Sequence, residues 1–509
     1  MAIKINWQDL LKRFINWQEI VRVYKNGVQI RPETVPPVFN DYLCFTAEES
    51  NSTLYLSISW DRFDRLEISY DKVTWIDYRE ESELHWDTIT LSNVWDKVYR
   101  RVKSIWWIDD AGGIQFHMTW KIAASGDLTS LINPNWTSIL TRNFNSLFQD
   151  CVSLTTPPKL RATTLVDNCY RNMFYWCTSL RVAPELPATT LSRDCYWDMF
   201  YGCTSLTIAP NLPATTLAYE CYWGMFEWCT SLTTPPSTIP ATTIAEWWCA
   251  GMFSWCTSLT TAPLLPATTV ERSWYIDMFN WCTSLVTAPS LPATTLWWKC
   301  YTKMFAWCTS LETPPSELPA LSLPTDPYQT GWDTWCYESM FNWCVALLSA
   351  PSLPATSLWN RCYSGMFSWC TSLTATPSLP ATTMTEYCYN AMFYGCTSLE
   401  TASSLPATTL AKSCYAAMFR NCTSLIELPV LPATYIPHNS YAYMFTSCSN
   451  IRLSETQTSE YNTPYRIPTT WTWTMEDSTL SYYMFYGTGG TFTRPPNINR
   501  TYYTSNQVI

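Results

Sequence analysis

The chain has 509 residues, 47% of them hydrophobic and only 14% charged, a balance that supplies a buried core and argues against disorder. Its formal net charge is −10 and it holds no basic run, which argues against nucleic-acid binding through phosphate neutralisation. Aromatic residues make up 16%, with 29 Trp and 31 Tyr, more than core packing alone demands.

Residues 1–37 hold the amphipathic stretch WQDLLKRFINWQEI and then VRVYKNGVQIRP. Asn26-Gly27 between alternating apolar residues predicts a type I′ hairpin, and Pro32, Pro36 and Pro37 read as a linker. The opening MAIKINWQDLLKRF lacks an apolar stretch of signal-peptide length, and no later segment suits a membrane span. The expectation is a chain that stays in the cytoplasm where it is made or leaves by a route other than secretion, with no membrane insertion. Residues 38–125 alternate apolar and polar in STLYLSISW, RLEISYDKVTW and GIQFHMTWKI, which predicts a small β-sandwich.

Residues 126–452 are dominated by a repeat. Met-Phe recurs at Met173, Met199, Met225, Met252, Met278, Met304, Met340, Met366, Met392, Met418 and Met444, at a spacing of 26 with one 27 and one 36. Leu147-Phe148 opens the series. Met484-Phe485 is a degenerate echo within residues 453–509, which read as a cap. A fixed period in the twenties means a solenoid whose rungs bury their apolar faces against one another. In the unit CYWDMFYGCTSLTIAPNLPATTLAYE, Cys195, Met199 and Cys203 fall at i, i+4 and i+8, the stripe of a short helix. Leu206, Leu212 and Leu217 follow in extended Thr- and Pro-rich sequence. The fold class expected is an α/β repeat solenoid, leucine-rich-repeat-like, with one short helix plus strand and extended segments per rung and a small N-terminal β domain.

Of the 22 Cys, most form two columns, four residues before and four after the Met. Disulfides would need an oxidising compartment. A metal would need CxxC pairs or partner His, whereas His85, His117 and His438 are scattered. The plainer reading is a small buried hydrophobe, since Trp248, Trp274 and Ser440 replace it where the first column breaks. No metal or cofactor is expected.

Three residues after each Met stand Trp176, Gly202, Trp228, Trp255, Trp281, Trp307, Trp343, Trp369, Gly395, Asn421 and Ser447. A sealed core site would not accept that range of volumes, so the column is expected to be at least half exposed. Its indoles either stack as a ladder or offer a platform to a ligand. A second variable zone flanks the CY pair and carries the candidate ligand-binding residues Trp197, Tyr219, Trp223, Trp247, Trp297, Trp298 and Trp359, with Arg193 and Lys299 among them. Variation rich in Trp and confined to one edge is the pattern of a recognition surface. Ten extra residues before Met340, within PTDPYQTGWDTW, predict a loop that leaves the solenoid.

The strings MF-x-x-C-T-S-L and L-P-A-T-T-L resemble the leucine-rich repeats of the Bacteroides-surface-protein type, as found in surface adhesins and in tail or fibre proteins of gut bacteriophages. The likeness covers about 300 residues and departs from the family at the Trp-rich positions. It implies a phage virion protein, a tail or fibre component that binds a host surface receptor, glycan or protein. Residues 1–37 would then join other virion proteins, and the chain would act as a homo-oligomer in the virion. The alternative is a bacterial surface adhesin or another interaction repeat protein. There is no glycine-rich phosphate loop, nucleophile elbow or His-centred acid–base arrangement, so no catalytic residue and no enzyme is expected.

Overall fold

A computed structural model describes residues 23–25, 28–30, 41–58, 66–77, 88–102, 114–131, 144–241, 249–270, 273–297, 299–321, 335–426, 428–429, 431–433, 435–453, 474–475 and 484–490. The chain divides into two compact units, Met1–Asp41 and Tyr42–Ile509. In the first, β1 (Val23–Lys25) and β2 (Val28–Ile30) pair antiparallel with Val23 opposite Ile30. Asn26-Gly27 lies between them, outside the described residues.

The second unit opens with two sheets. The first contains β3 (Leu43–Ala47), β5 (Leu66–Ser69), β6 (Ile76–Asp77), β8 (Lys97–Val102), β10 (Ile122–Ser125) and β11 (Leu154–Thr156), in the order β11-β10-β3-β8-β5-β6. The second contains β4 (Ser52–Ile58), β7 (Ile89–Leu91) and β9 (Ile114–Thr119), in the order β7-β4-β9. Alternate residues meet between the sheets, where Phe45 of β3 packs on Phe116 of β9 at 4.9 Å. Both sheets run on into the first rung of the solenoid. β10 pairs in parallel with β11, which lies inside the repeats, and the Phe116 amide donates to the Leu147 carbonyl at 2.8 Å. The sheets therefore cover what would otherwise be an open end of the stack.

The segments expected as short helices are not helical. Around Met173, i→i−3 bonds (Arg171 to Asn168, Met173 to Tyr170, Tyr175 to Asn172, Cys177 to Phe174) close a run of tight turns. The intervening amides leave the rung altogether. Those of Asn168, Tyr170, Asn172, Phe174 and Trp176 donate to the carbonyls of Arg193, Cys195, Trp197, Met199 and Tyr201 on the next rung, at 2.7–3.1 Å. Every fourth residue is left-handed, with φ of 61° at Asn168, 54° at Asn172 and 55° at Trp176. It sits third in its turn, where a type II turn needs positive φ. An α-helix spends each amide inside its own segment; this turn ribbon gives half of them to its neighbour. The i, i+4, i+8 stripe fits both, because a 3.6-residue helix drifts only about a quarter turn from a four-residue repeat over such a stretch.

Inside the ribbon the side chains form columns. Met, Phe, Tyr and both sets of Cys are buried, and so is the Leu of each Thr-Ser-Leu. Phe rings stack without a break from Phe116–Phe148 to Phe445–Phe485 at 5.2–5.6 Å. Beside them each thiol of the second Cys column donates to the Phe carbonyl of the preceding rung, from Cys177 to Phe148 at 3.0 Å to Cys448 to Phe419 at 3.0 Å. Across the core the described extended segments meet in short parallel contacts, such as the bridges Thr164–Thr190–Thr216 and Thr383–Thr409 and the pairing of Thr269–Val270 with Thr295–Leu296. Phe445 passes its amide to Met484 at 2.8 Å, which adds the degenerate unit as one more rung. The loop within 322–334 lies outside the described residues.

All 22 Cys are free and buried, and burial pushes thiols such as Cys256 and Cys282 well above the usual cysteine range. A neutral, sealed thiol is a poor nucleophile. Native protein should therefore resist a thiol reagent, and unreduced protein unfolded in denaturant should react at nearly all 22 positions. Fewer than half reacting would mean that the columns are cross-linked.

Candidate interaction surface

The left-handed positions recur along the ribbon, and the Trp column occupies the one that follows each Met-Phe. Trp255, Trp281 and Trp307 have φ of 62°, 62° and 63°. A left-handed residue other than Gly costs about 1–2 kcal/mol, so a Trp here needs compensation. Stacking supplies it. Trp228, Trp255, Trp281, Trp307, Trp343 and Trp369 form one ladder with centroids 4.4–4.9 Å apart and planes within 14° of parallel. Each such aromatic pair contributes about 0.5–1.5 kcal/mol beyond its burial. Every indole in it is half-buried, and Gly202 and Gly395 are buried, so the column is more covered than the half exposure expected of it, because each ring is shielded by the next. The ladder reading is thus what the geometry gives, and the inner indoles present edges rather than faces.

At both ends the pattern changes to Tyr-Gly. A side chain on Gly395 would meet the Trp369 ring at 2.8 Å, and one on Gly202 would meet the Trp176 ring at 2.8 Å. Tyr394 stands edge-on to Trp369, as Tyr201 does to Trp176. The wide range of residues in this column therefore reflects backbone conformation and ladder position.

Beside the ladder lie the residues of the variable edge. Trp197 and Trp223 stack at 5.4 Å, both half-buried, and the Arg171 guanidinium covers Trp197 at 4.1 Å. The Trp197 indole N–H donates to Asp198 Oδ2 at 2.9 Å. Arg193 lies over half-buried Tyr219 at 5.0 Å and pairs with buried Asp194 at 3.4 Å. Trp297 is 40% exposed, whereas Trp359 packs against the core. Trp247 and Trp298 lie outside the described residues. The structure so gathers Trp197, Tyr219 and Trp223 on neighbouring rungs and leaves Trp297 and Trp359 apart from that group in the chain.

Sequence reasoning singled out Arg193 and Lys299 but missed the other charges. Asp198, Glu227 and Asp277 sit on the ribbon between aromatic residues; burial lifts Asp198 to about 6, Glu227 to about 7 and Asp277 to about 6. For Glu227 the negative charges of Asp198 and Asp277 add to that rise, while for Asp277 the Lys303 ammonium works against it. In the C-terminal half, cations alternate with rings. Lys299 and Arg361 lie over Trp335 at 5.0 and 5.6 Å, and Arg361 and Lys412 lie over Tyr387 at 4.8 and 5.9 Å. The residue before each Met, which runs from Asp through Gly to Lys, was the available signal. Among the described residues no group of three or more His, Cys, Asp or Glu could hold a metal ion, and no helix is long and apolar enough to cross a membrane.

Residues 337–466 match the BspA type leucine rich repeat region, in six copies. Leucine-rich repeats imply a solenoid. The rungs before Tyr337 carry the same Met, Phe, Cys and Leu columns, so the likeness extends in kind beyond the matched stretch. No curated protein matches the chain.

A carboxyl group with a raised pKa is stabilising while protonated and costs stability once ionised. The contribution of Asp198, Glu227 and Asp277 is therefore full below the ordinary carboxylate range and is lost as pH rises through about 6 to 7. Thermal melts from pH 5 to pH 8 should show a falling melting temperature. The variant Asp198→Asn/Glu227→Gln should flatten that slope, and an unchanged slope would show that the two groups are not desolvated.

Proposed function

We propose that the chain is a recognition protein whose solenoid presents the Trp197, Tyr219 and Trp223 edge to a bacterial surface receptor, glycan or protein, and that it serves as a tail or fibre component of a bacteriophage virion. The observation that carries the recognition reading is the grouping itself. Two stacked indoles, a Tyr, Arg171, Arg193 and Asp194 lie together on neighbouring rungs. Trp, Tyr and Arg are the side chains that most often anchor interfaces. The virion reading draws on the thiol columns, which must stay reduced to donate to the Phe carbonyls. A chain folded in a bacterial cytoplasm and released by lysis meets that need. Residues 1–37 then serve as the mount on other virion proteins. The second reading is a bacterial surface adhesin or another interaction repeat protein, with which the match to BspA type repeats is compatible.

Binding of labelled protein to bacterial cells tests the edge. Trp197→Ser/Trp223→Ser should lose stability by about 0.5–1.5 kcal/mol, the worth of one stacked pair. Cell binding should fall tenfold or more, equivalent to about 1.4 kcal/mol. Trp255→Ser breaks two ladder stacks and should lower the melting temperature further while sparing binding at temperatures where it stays folded. Full binding by the double variant would remove this edge from the function. Co-sedimentation of the chain with phage particles separates the virion from the adhesin.

A further inference from the structure

The ribbon face is nearly its own mirror in sequence about the midpoint between Trp281 and Trp307. Outward from that point, the column after Met-Phe reads three Trp and then Gly in both directions, ending at Gly202 and Gly395, each preceded by Tyr. The column before the Met reads Asp277, Gly251 and Gly224 one way and Lys303, Ser339 and Gly365 the other. Small residues answer small residues, and at the centre a carboxylate answers an ammonium. Beyond the axis Asp198, Glu220 and Glu227 lie on the N-terminal side and Lys299, Arg361 and Lys412 on the C-terminal side, with Arg171 and Arg193 on the first and Glu338 and Glu386 on the second running against that division. The Met and Phe columns stay uniform from Met173-Phe174 to Met444-Phe445, so the solenoid core does not require this arrangement.

We infer that this face binds a second copy of the chain, antiparallel, about a two-fold axis that crosses the ladder between Trp281 and Trp307. A two-fold axis lying in the contact plane and across the solenoid sets each column against the same column of the partner, with rung order reversed. Trp281 then faces the rung of Trp307, Trp255 that of Trp343, and Trp228 that of Trp369. The six half-buried indoles provide an apolar strip roughly 24 Å long at the usual strand spacing. At the axis, Asp277 and Lys303 of one copy oppose the same two residues of the other in reverse order, a square of alternating charge. Farther out, the rung of Glu220 and Glu227 stands opposite the rung of Arg361. A parallel arrangement would set like charges against like, which costs several kcal/mol at an interface. The face adjoins the receptor edge: Trp197 lies beyond the Tyr-Gly end of the ladder, whereas Tyr219 and Trp223 share a rung with Trp228.

Sedimentation equilibrium of the full chain tests it. The wild type should run at twice 58.7 kDa. Lys303→Glu places four acidic groups at the axis and should weaken association on the order of a hundredfold or more. Asp277→Lys, which gathers four cations, should do the same. The exchange Asp277→Lys/Lys303→Asp restores the alternating square and should restore the dimer. Melting curves of each variant establish that it is folded. A monomeric wild type, a dimer indifferent to Lys303→Glu, or an exchange variant that stays monomeric while both single variants dissociate would each overturn the proposal.

Discussion

The structure rests on one use of the backbone: in the turn ribbon, every second amide is given to the next rung. That transfer needs a chain that turns tightly every few residues without coiling into a helix, and the left-handed residue at every fourth position provides it. With carbonyls and amides aligned rung to rung, the side chains must fall in register. Met lies over Met, Phe over Phe and Cys over Cys, and the period of 26 follows from that stacking.

Register explains the composition. A column of identical flat rings stacks on itself, so Phe and Tyr can fill the core with rings that repeat at the rung spacing. Cys fits beside the Phe carbonyls because it is small and carries one weak donor, which reaches that oxygen at 3.0–3.1 Å along the whole array. Trp takes a strained backbone position that Gly would suit better, and the ladder makes this tolerable by covering each indole with the next. The ladder Trp among the strained positions are half-buried, so there the cost falls where partner recognition can use the residue, whereas Asp194, Glu220, Ser273 and Ser413 are left-handed and buried.

Much of this could be read from the residues. The period gave the solenoid, and the columns marked Met, Phe, Cys and Leu as core, because burial is repeated identically in each rung. The turn ribbon could not be read that way. A stripe at i, i+4 and i+8 is common to a helix and to four-residue turns, and the sign of φ leaves a clear trace only where Gly or Asn occurs, as at Gly202, Gly395 and Asn172. The candidate edge was legible as variation rich in aromatics, but not which members meet. Trp197 and Trp223 stack because they share a column on adjacent rungs, while Trp359, in a different column before its Cys, packs on the core. Apart from Arg193 and Lys299, the charges escaped notice because they are few, and their order along the face matters more than their number.

The left-handed column is open to a test in which the two readings differ in sign. Ala391 and Ala417, both half-buried, have φ of 51° and 55°. Within a helix, replacing each by Gly would destabilise by about 0.5–1 kcal/mol. In the turn ribbon, Gly relieves a left-handed strain of about 1–2 kcal/mol per Ala, offset in part by the entropy it adds to the unfolded chain. Equilibrium unfolding of Ala391→Gly/Ala417→Gly should therefore show a gain of about 1 kcal/mol over the wild type. A loss of that size would mean that these segments are helical and that the ribbon, with the columns built on it, is wrong.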